Sequence, residues 1–78
     1  MKLNTKQATL LLVIEDVEVL SASFALSMDF NHRDLESLEV PGIIRVTFEG
    51  ATLTPAGETL LDTAHAVLVE AAAAASEG

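Results

Sequence analysis

Glu58, Asp62 and His65 stand at i, i+4 and i+7, a spacing that sets three metal-capable side chains on one face of a helix. With a further donor from elsewhere, such a face could hold a divalent ion. A solvated polar face, with His65 paired to a neighbour, is the simpler account, and no metal or cofactor is expected. Ser21, Ser23 and Ser27 fall in a short predicted helix, where capping and contact with water explain them without a nucleophile. There is no Gly-rich phosphate loop, no GxSxG elbow and no HExxH pair. An enzyme is therefore not the expected reading.

Charge is more informative than motif. The 78 residues carry 4 Lys and Arg against 12 Asp and Glu, a formal net charge of −8. Such a field opposes contact with phosphates and anionic lipid and favours basic proteins. Solubility, or the acidic surface habit of proteins from high-salt organisms, is the bland alternative. No cysteine is present, which excludes disulfides and thiolate metal sites and suits a reducing cytoplasm, the expected location. The longest strongly apolar run, Leu10 to Ile14, is five residues long, too short for a membrane span or a signal peptide's apolar segment. With three Phe and no Trp or Tyr, the core of this single domain, 1–78, must be aliphatic.

The elements that would position these side chains can be read in order. In "ATLLLVIEDVEVL", residues 8 to 20, apolar side chains are scattered round the whole helical circle, so two short strands turning at Glu15 and Asp16 are predicted. Ser21 caps a short helix to about Met28, with Phe24, Ala25 and Met28 as its buried stripe. Asn31 caps a second, "HRDLESLEV", with Leu35 and Leu38 inward and Pro41-Gly42 ending it. The pair has the outline of a helix-turn-helix. "IIRVTF", Glu49-Gly50 and "ATLT" make a two-stranded wing, with Gly50 supplying a positive φ. Thr54-Pro55 starts a long helix to about Ala75, and Gly57 in its first turn lets the wing's backbone come close. A fraying tail is expected at 76–78.

"LTPAGETLL" resembles the wing-to-helix junction of MarR-like and PadR-like winged-helix regulators, and "LEVPGII" fits the end of their recognition helix. A second resemblance, to small phage regulatory proteins of the Rha type, covers most of the chain through "LLLVIEDVEVL", "SASFALSM", "NHRDLESL" and "LTPAGETLL". The first covers about residues 31 to 64; both imply an α+β, winged-helix-like domain, and the second also implies the short N-terminal β-hairpin and a phage or prophage origin.

The chain departs from those families in charge. Between Asp29 and Glu49 its fixed cations are Arg33 and Arg45, against Asp29, Asp34, Glu36, Glu39 and Glu49. A regulator making two or three phosphate contacts would have little sequence-independent affinity, and the carboxylates would repel a backbone within a Debye length of about 8 Å.

Three functions follow. The first is a protein-binding module that docks on a basic nucleic-acid-handling protein or nucleoprotein complex by standing in for DNA, as phage-encoded inhibitors such as anti-CRISPR proteins do. Its contacts would be the five carboxylates above, with Glu15, Asp16 and Glu18 as a second patch. The alternative is a winged-helix DNA-binding regulator contacting DNA through His32, Arg33 and Arg45. A third is a structural or dimerisation domain, pairing as a homodimer through Ala64, Val67, Leu68, Ala71 and Ala72; the same face could instead close the domain's own core. Val69, stranded on the polar side, favours a second contact.

Overall fold

An asparagine three residues ahead of a glutamine decides how the chain begins. Gln7 N–H donates to Asn4 Oδ1 at 2.8 Å and Asn4 N–H to Gln7 Oε1 at 3.0 Å, a capping box that starts a helix. The computed structural model describes residues 2–77. It runs α1 (Thr5–Val17), α2 (Ala22–Ser27), α3 (His32–Glu39), β1 (Ile44–Thr47), β2 (Gly50–Leu53), α4 (Pro55–Glu58) and α5 (Leu61–Glu77), an α+β domain. No described helix is long and apolar enough to cross a membrane.

The N-terminal β-hairpin expected around Glu15 and Asp16 does not exist: those residues lie inside α1, and both strands follow the first three helices. The scatter of apolar side chains has a different cause. α1 packs on α5, β2 and α3 at once, so it is apolar on several sides, and Leu10, Leu11 and Ile14 are fully buried. At its end Val19 N–H donates to the Val17 carbonyl at 2.8 Å, with Glu18 at φ 68° and ψ −51°. This γ-turn, strained for a residue with a Cβ, sends Leu20 back to pair with Ala51 through hydrogen bonds of 2.9 and 2.8 Å. That bridge joins the later hairpin and is no part of the expected first strand pair.

α2 and α3 form as their caps dictate. Phe24 N–H donates to Ser21 Oγ at 3.3 Å, and Asn31 and Asp34 make a second capping box with bonds of 3.1 and 2.9 Å. Phe24 and Met28 do not join the buried stripe expected of α2: of the three residues, Ala25 alone is buried. Asp29 sits at φ 67° and lets Phe30 N–H reach the Ala25 carbonyl, so that Phe30 rather than Phe24 enters the core. α3 ends in the same way, with bonds from Ile43 to Leu38 and from Gly42 to Glu39, both 2.9 Å. Leu38 is buried and Leu35 half-buried.

The hairpin forms, Ile44 opposite Leu53 and Thr47 opposite Gly50, but its tip is Phe48-Glu49 rather than the expected Glu49-Gly50: Phe48 leaves the first strand and Gly50 opens the second. Gly50 has φ 139°, and a Cβ there would overlap the Leu20 carbonyl. Thr54 joins this hairpin to the C-terminal helices: its hydroxyl donates toward the Gly42 and Ile43 carbonyls and accepts from Gly57 N–H at 3.1 Å. The single long helix expected from Pro55 is broken. Leu60 N–H bonds the Gly57 carbonyl, three residues back, and Thr59 and Leu60 form a turn between α4 and α5. Gly57 lies so close to the residue before β1 that a Cβ would overlap the Ile43 carbonyl. α5 continues through Glu77; Gly78, the last residue of the expected tail, lies outside the described residues.

Gly50→Ala and Gly57→Ala should each lower stability by about 2 kcal/mol or more, since backbone rather than a mobile side chain must yield. Chemical denaturation measures this. Losses below about 0.5 kcal/mol at both positions would contradict the close approach described here.

Candidate functional site

The exposed face of α3 is tied to α1 before it can meet anything else. Lys6 Nζ lies 2.8 Å from Asp34 Oδ2, and Gln7 Nε2 donates to Ser37 Oγ at 3.2 Å. Asp34 thus caps its own helix and holds a cation from the first turn of α1. The Lys6 hydrogen bond, joined by that from the Asn31 backbone, holds its carboxyl below the usual value of 3.8. Lys6 in turn is raised above 10.5, chiefly by its bond to Asp34, with Asp29 adding a smaller attraction. The ion pair is with Asp34 alone, and it gives Asp34 a structural task.

The other candidate contacts are freer. Asp29, Glu36, Glu39 and Glu49 are exposed, as are His32, Arg33 and Arg45 of the DNA-contacting alternative. His32 Nε2 lies 3.7 Å from Glu36 Oε2, one turn along α3. Arg33, Glu36, Ser37, Val40 and Pro41 surround a shallow depression of about 480 Å³, so cation, anion and apolar surface are mixed on this face. Glu15 and Asp16 occupy the last turn of α1 and Glu18 follows it, all exposed. Carboxylates there sit at the negative end of the helix dipole, where they oppose helix stability, and no basic residue lies in the last turn of α1 or of α3.

Glu58 does not join Asp62 and His65. It belongs to α4, ahead of the break, and lines a groove of about 420 Å³ with Glu15 and Glu18 over Ile14, Leu53 and Leu61. Among the described residues no three His, Asp or Glu side chains are grouped to hold a metal ion.

The small-residue face of α5 is largely used within the domain. Ala64 is fully buried, Val67, Leu68 and Ala71 are half-buried, and Ala72 is exposed. Since α5 packs along α1, this face closes the core; Val69, on the other side, is 67% exposed.

Sequence reasoning passed over Phe48. At the hairpin tip it is 99% exposed, with no contact that explains an aromatic there. The strand pattern "IIRVTF" absorbs Phe48, and the register that puts it in the two-residue loop with Glu49 is set by the pairing of Thr47 with Gly50. No family model matches the chain, and neither a curated protein nor a solved structure matches it.

The Asp34 contacts make a pH prediction with a definite sign. A carboxyl whose folded value is depressed contributes stability that is complete above its ordinary 3.8 and lost as pH falls through the lower folded value. The stability gap between the wild type and Asp34→Asn should be constant near neutrality and close as the pH drops below about 4. Urea midpoints measured across the acid range test it. A gap that stays constant down to about pH 2 would remove Asp34 from the account.

Proposed function

We propose that this chain is a small acidic protein-binding module that docks on a basic nucleic-acid-handling protein or complex by presenting carboxylates where that partner expects phosphates. The reading draws most strongly on one observation: exposed carboxylates are gathered at the C-terminal ends of α1 and α3, where they work against the helices that carry them. Residues kept at a local cost of that kind are better explained by a cationic target than by folding. Asp29 ahead of α3, Glu36 and Glu39 on α3, Glu49 at the hairpin tip, and Glu15, Asp16 and Glu18 at the end of α1 are the contacts. Asp34 drops from this set because Lys6 already neutralises it. Phe48 adds an aromatic anchor of the type that dominates protein interfaces. A phage or prophage inhibitor, anti-CRISPR proteins among them, is the functional class that suits these features.

A second reading, a winged-helix DNA-binding regulator, is favoured by the order of elements. Two short helices, α2 and α3, lead into a hairpin, and Arg33 and His32 stand exposed in the first turn of α3. Against it stand the neighbouring carboxylates and the few phosphates that two arginines can neutralise.

Duplex DNA retention separates the two. The wild type should not be retained at low salt, while Glu36→Lys with Glu39→Lys should gain salt-sensitive retention. The same pair should abolish capture of a host protein that duplex DNA competes away. Tight wild-type binding to a duplex, weakening steeply between about 50 and 200 mM salt and lost on Arg33→Ala, would instead establish the regulator.

A further inference from the structure

Three helices leave an apolar groove that the core does not fill. Leu12, Val13 and Val17 of α1, Phe24 and Met28 at α2 and Leu68 of α5 wall it, around a volume of about 340 Å³. Phe24, Met28 and Val17 remain 47%, 39% and 38% exposed. These side chains are too large and too closely grouped to be isolated surface residues. On α1 the lining positions are Thr9, Leu12, Val13, Asp16 and Val17, a helical stripe that carries the groove from Thr9 to Val17, about 12 Å or two turns. The walls are helices, whose backbone groups are bonded internally, so an incoming strand would find no edge to join. A helix laying down its own apolar stripe at i, i+3 or i+4, and i+7 meets the length and the shape.

Charge selects which helix. No Lys or Arg lines the groove; Asp16 does, and Asp29 directly follows Met28. Lys6, one turn before Thr9 on α1, is held by Asp34. A second copy of this chain would bring a further −8 to the contact and set like charges against each other. We propose that the groove between α1, α2 and α5 takes an amphipathic helix of the partner whose polar flanks carry Lys or Arg. This rests on the protein-binding reading and adds to it a site and a recognised element: the carboxylates attract, and the groove holds.

The test uses the full chain and a labelled model peptide of about 14 residues, leucine and lysine in helical period. Saturable binding is expected, with methyl resonances of Leu12, Val13 and Leu68 shifting. Phe24→Ala with Met28→Ala should weaken it about tenfold or more. Asp16→Arg, at an exposed position, should weaken the lysine peptide and admit a leucine–glutamate peptide that the wild type rejects. Glu36→Lys with Glu39→Lys should leave the groove shifts in place. Unmoved groove methyls, or undiminished binding by both the Phe24/Met28 and Asp16 variants, would overturn the proposal. If the shifts gather on α3 instead and vanish with the Glu36/Glu39 pair, the groove is wrong while the acidic docking reading stands. A wild type that sediments as a dimer, and becomes monomeric in the Phe24/Met28 variant, would show that a second copy covers the groove and would likewise overturn it.

Discussion

The burial of α1 on several sides is the constraint on which the other packing choices depend. A chain of 78 residues with three Phe and no Trp or Tyr has few large side chains with which to build a core. It meets this by covering one leucine-rich helix with α5, with β2 and with α3, and Leu10, Leu11 and Ile14 are fully buried as a result. The rest of the core gathers round that helix: Leu20 from the bridge, Ile44 and Ala51 from the hairpin, Leu38 from α3 and Ala64 from α5. Where coverage stops, between α2 and α5, the same helix shows its remaining apolar stripe as the groove.

The parts of the fold legible in the sequence are those with local causes. Ser21, Asn31 and Thr54-Pro55 mark helix starts because a side-chain oxygen satisfies an N–H two or three residues on, whatever else the chain does. Gly50 and Gly57 are legible for a similar reason: absence of a Cβ is a local property with one use at a turn or a close approach. α1 was hidden because periodicity marks a helix only when one side faces water. A helix covered on several sides loses its stripe and imitates a buried strand, and the arbiter was the Asn4–Gln7 capping box four residues ahead of the run's first alanine. The break after Glu58 has in Gly57 a weak local signal, and what that glycine packs against, Ile43 fourteen positions earlier, is fixed only by the fold.

The candidate site divides along the same line. Net charge and the count of carboxylates around α3 are properties of composition and survive folding unchanged. Which carboxylates are free is a property of the fold. Asp34 and Lys6 are distant in sequence, and only the packing of α1 on α3 brings them together, converting a presumed contact residue into a cap and an ion pair. Phe24 and Met28 make the converse case. Their spacing gives a sound helical stripe, but a six-residue helix turns that stripe wherever its end geometry directs, and here the left-handed Asp29 turns Phe30 inward and leaves Phe24 and Met28 outside.

Acidity and exposed apolar surface are usually treated as opposing signals, one for solubility and the other for association. Under the proposed docking on a basic partner they divide the labour of binding. Carboxylates at a surface act over roughly a Debye length of about 8 Å and mainly raise the rate of encounter and reject like-charged partners, contributing modestly once contact is made. Affinity depends on slowing dissociation, which requires desolvated apolar anchors. Phe48 at the hairpin tip and the Phe24–Met28 wall of the groove are the two places where this chain leaves aromatic surface exposed. An inhibitor that relied on charge alone would be displaced by the nucleic acid it imitates, because the duplex carries far more charge per unit length. Apolar contacts that DNA cannot offer are what would let so small an acidic domain compete.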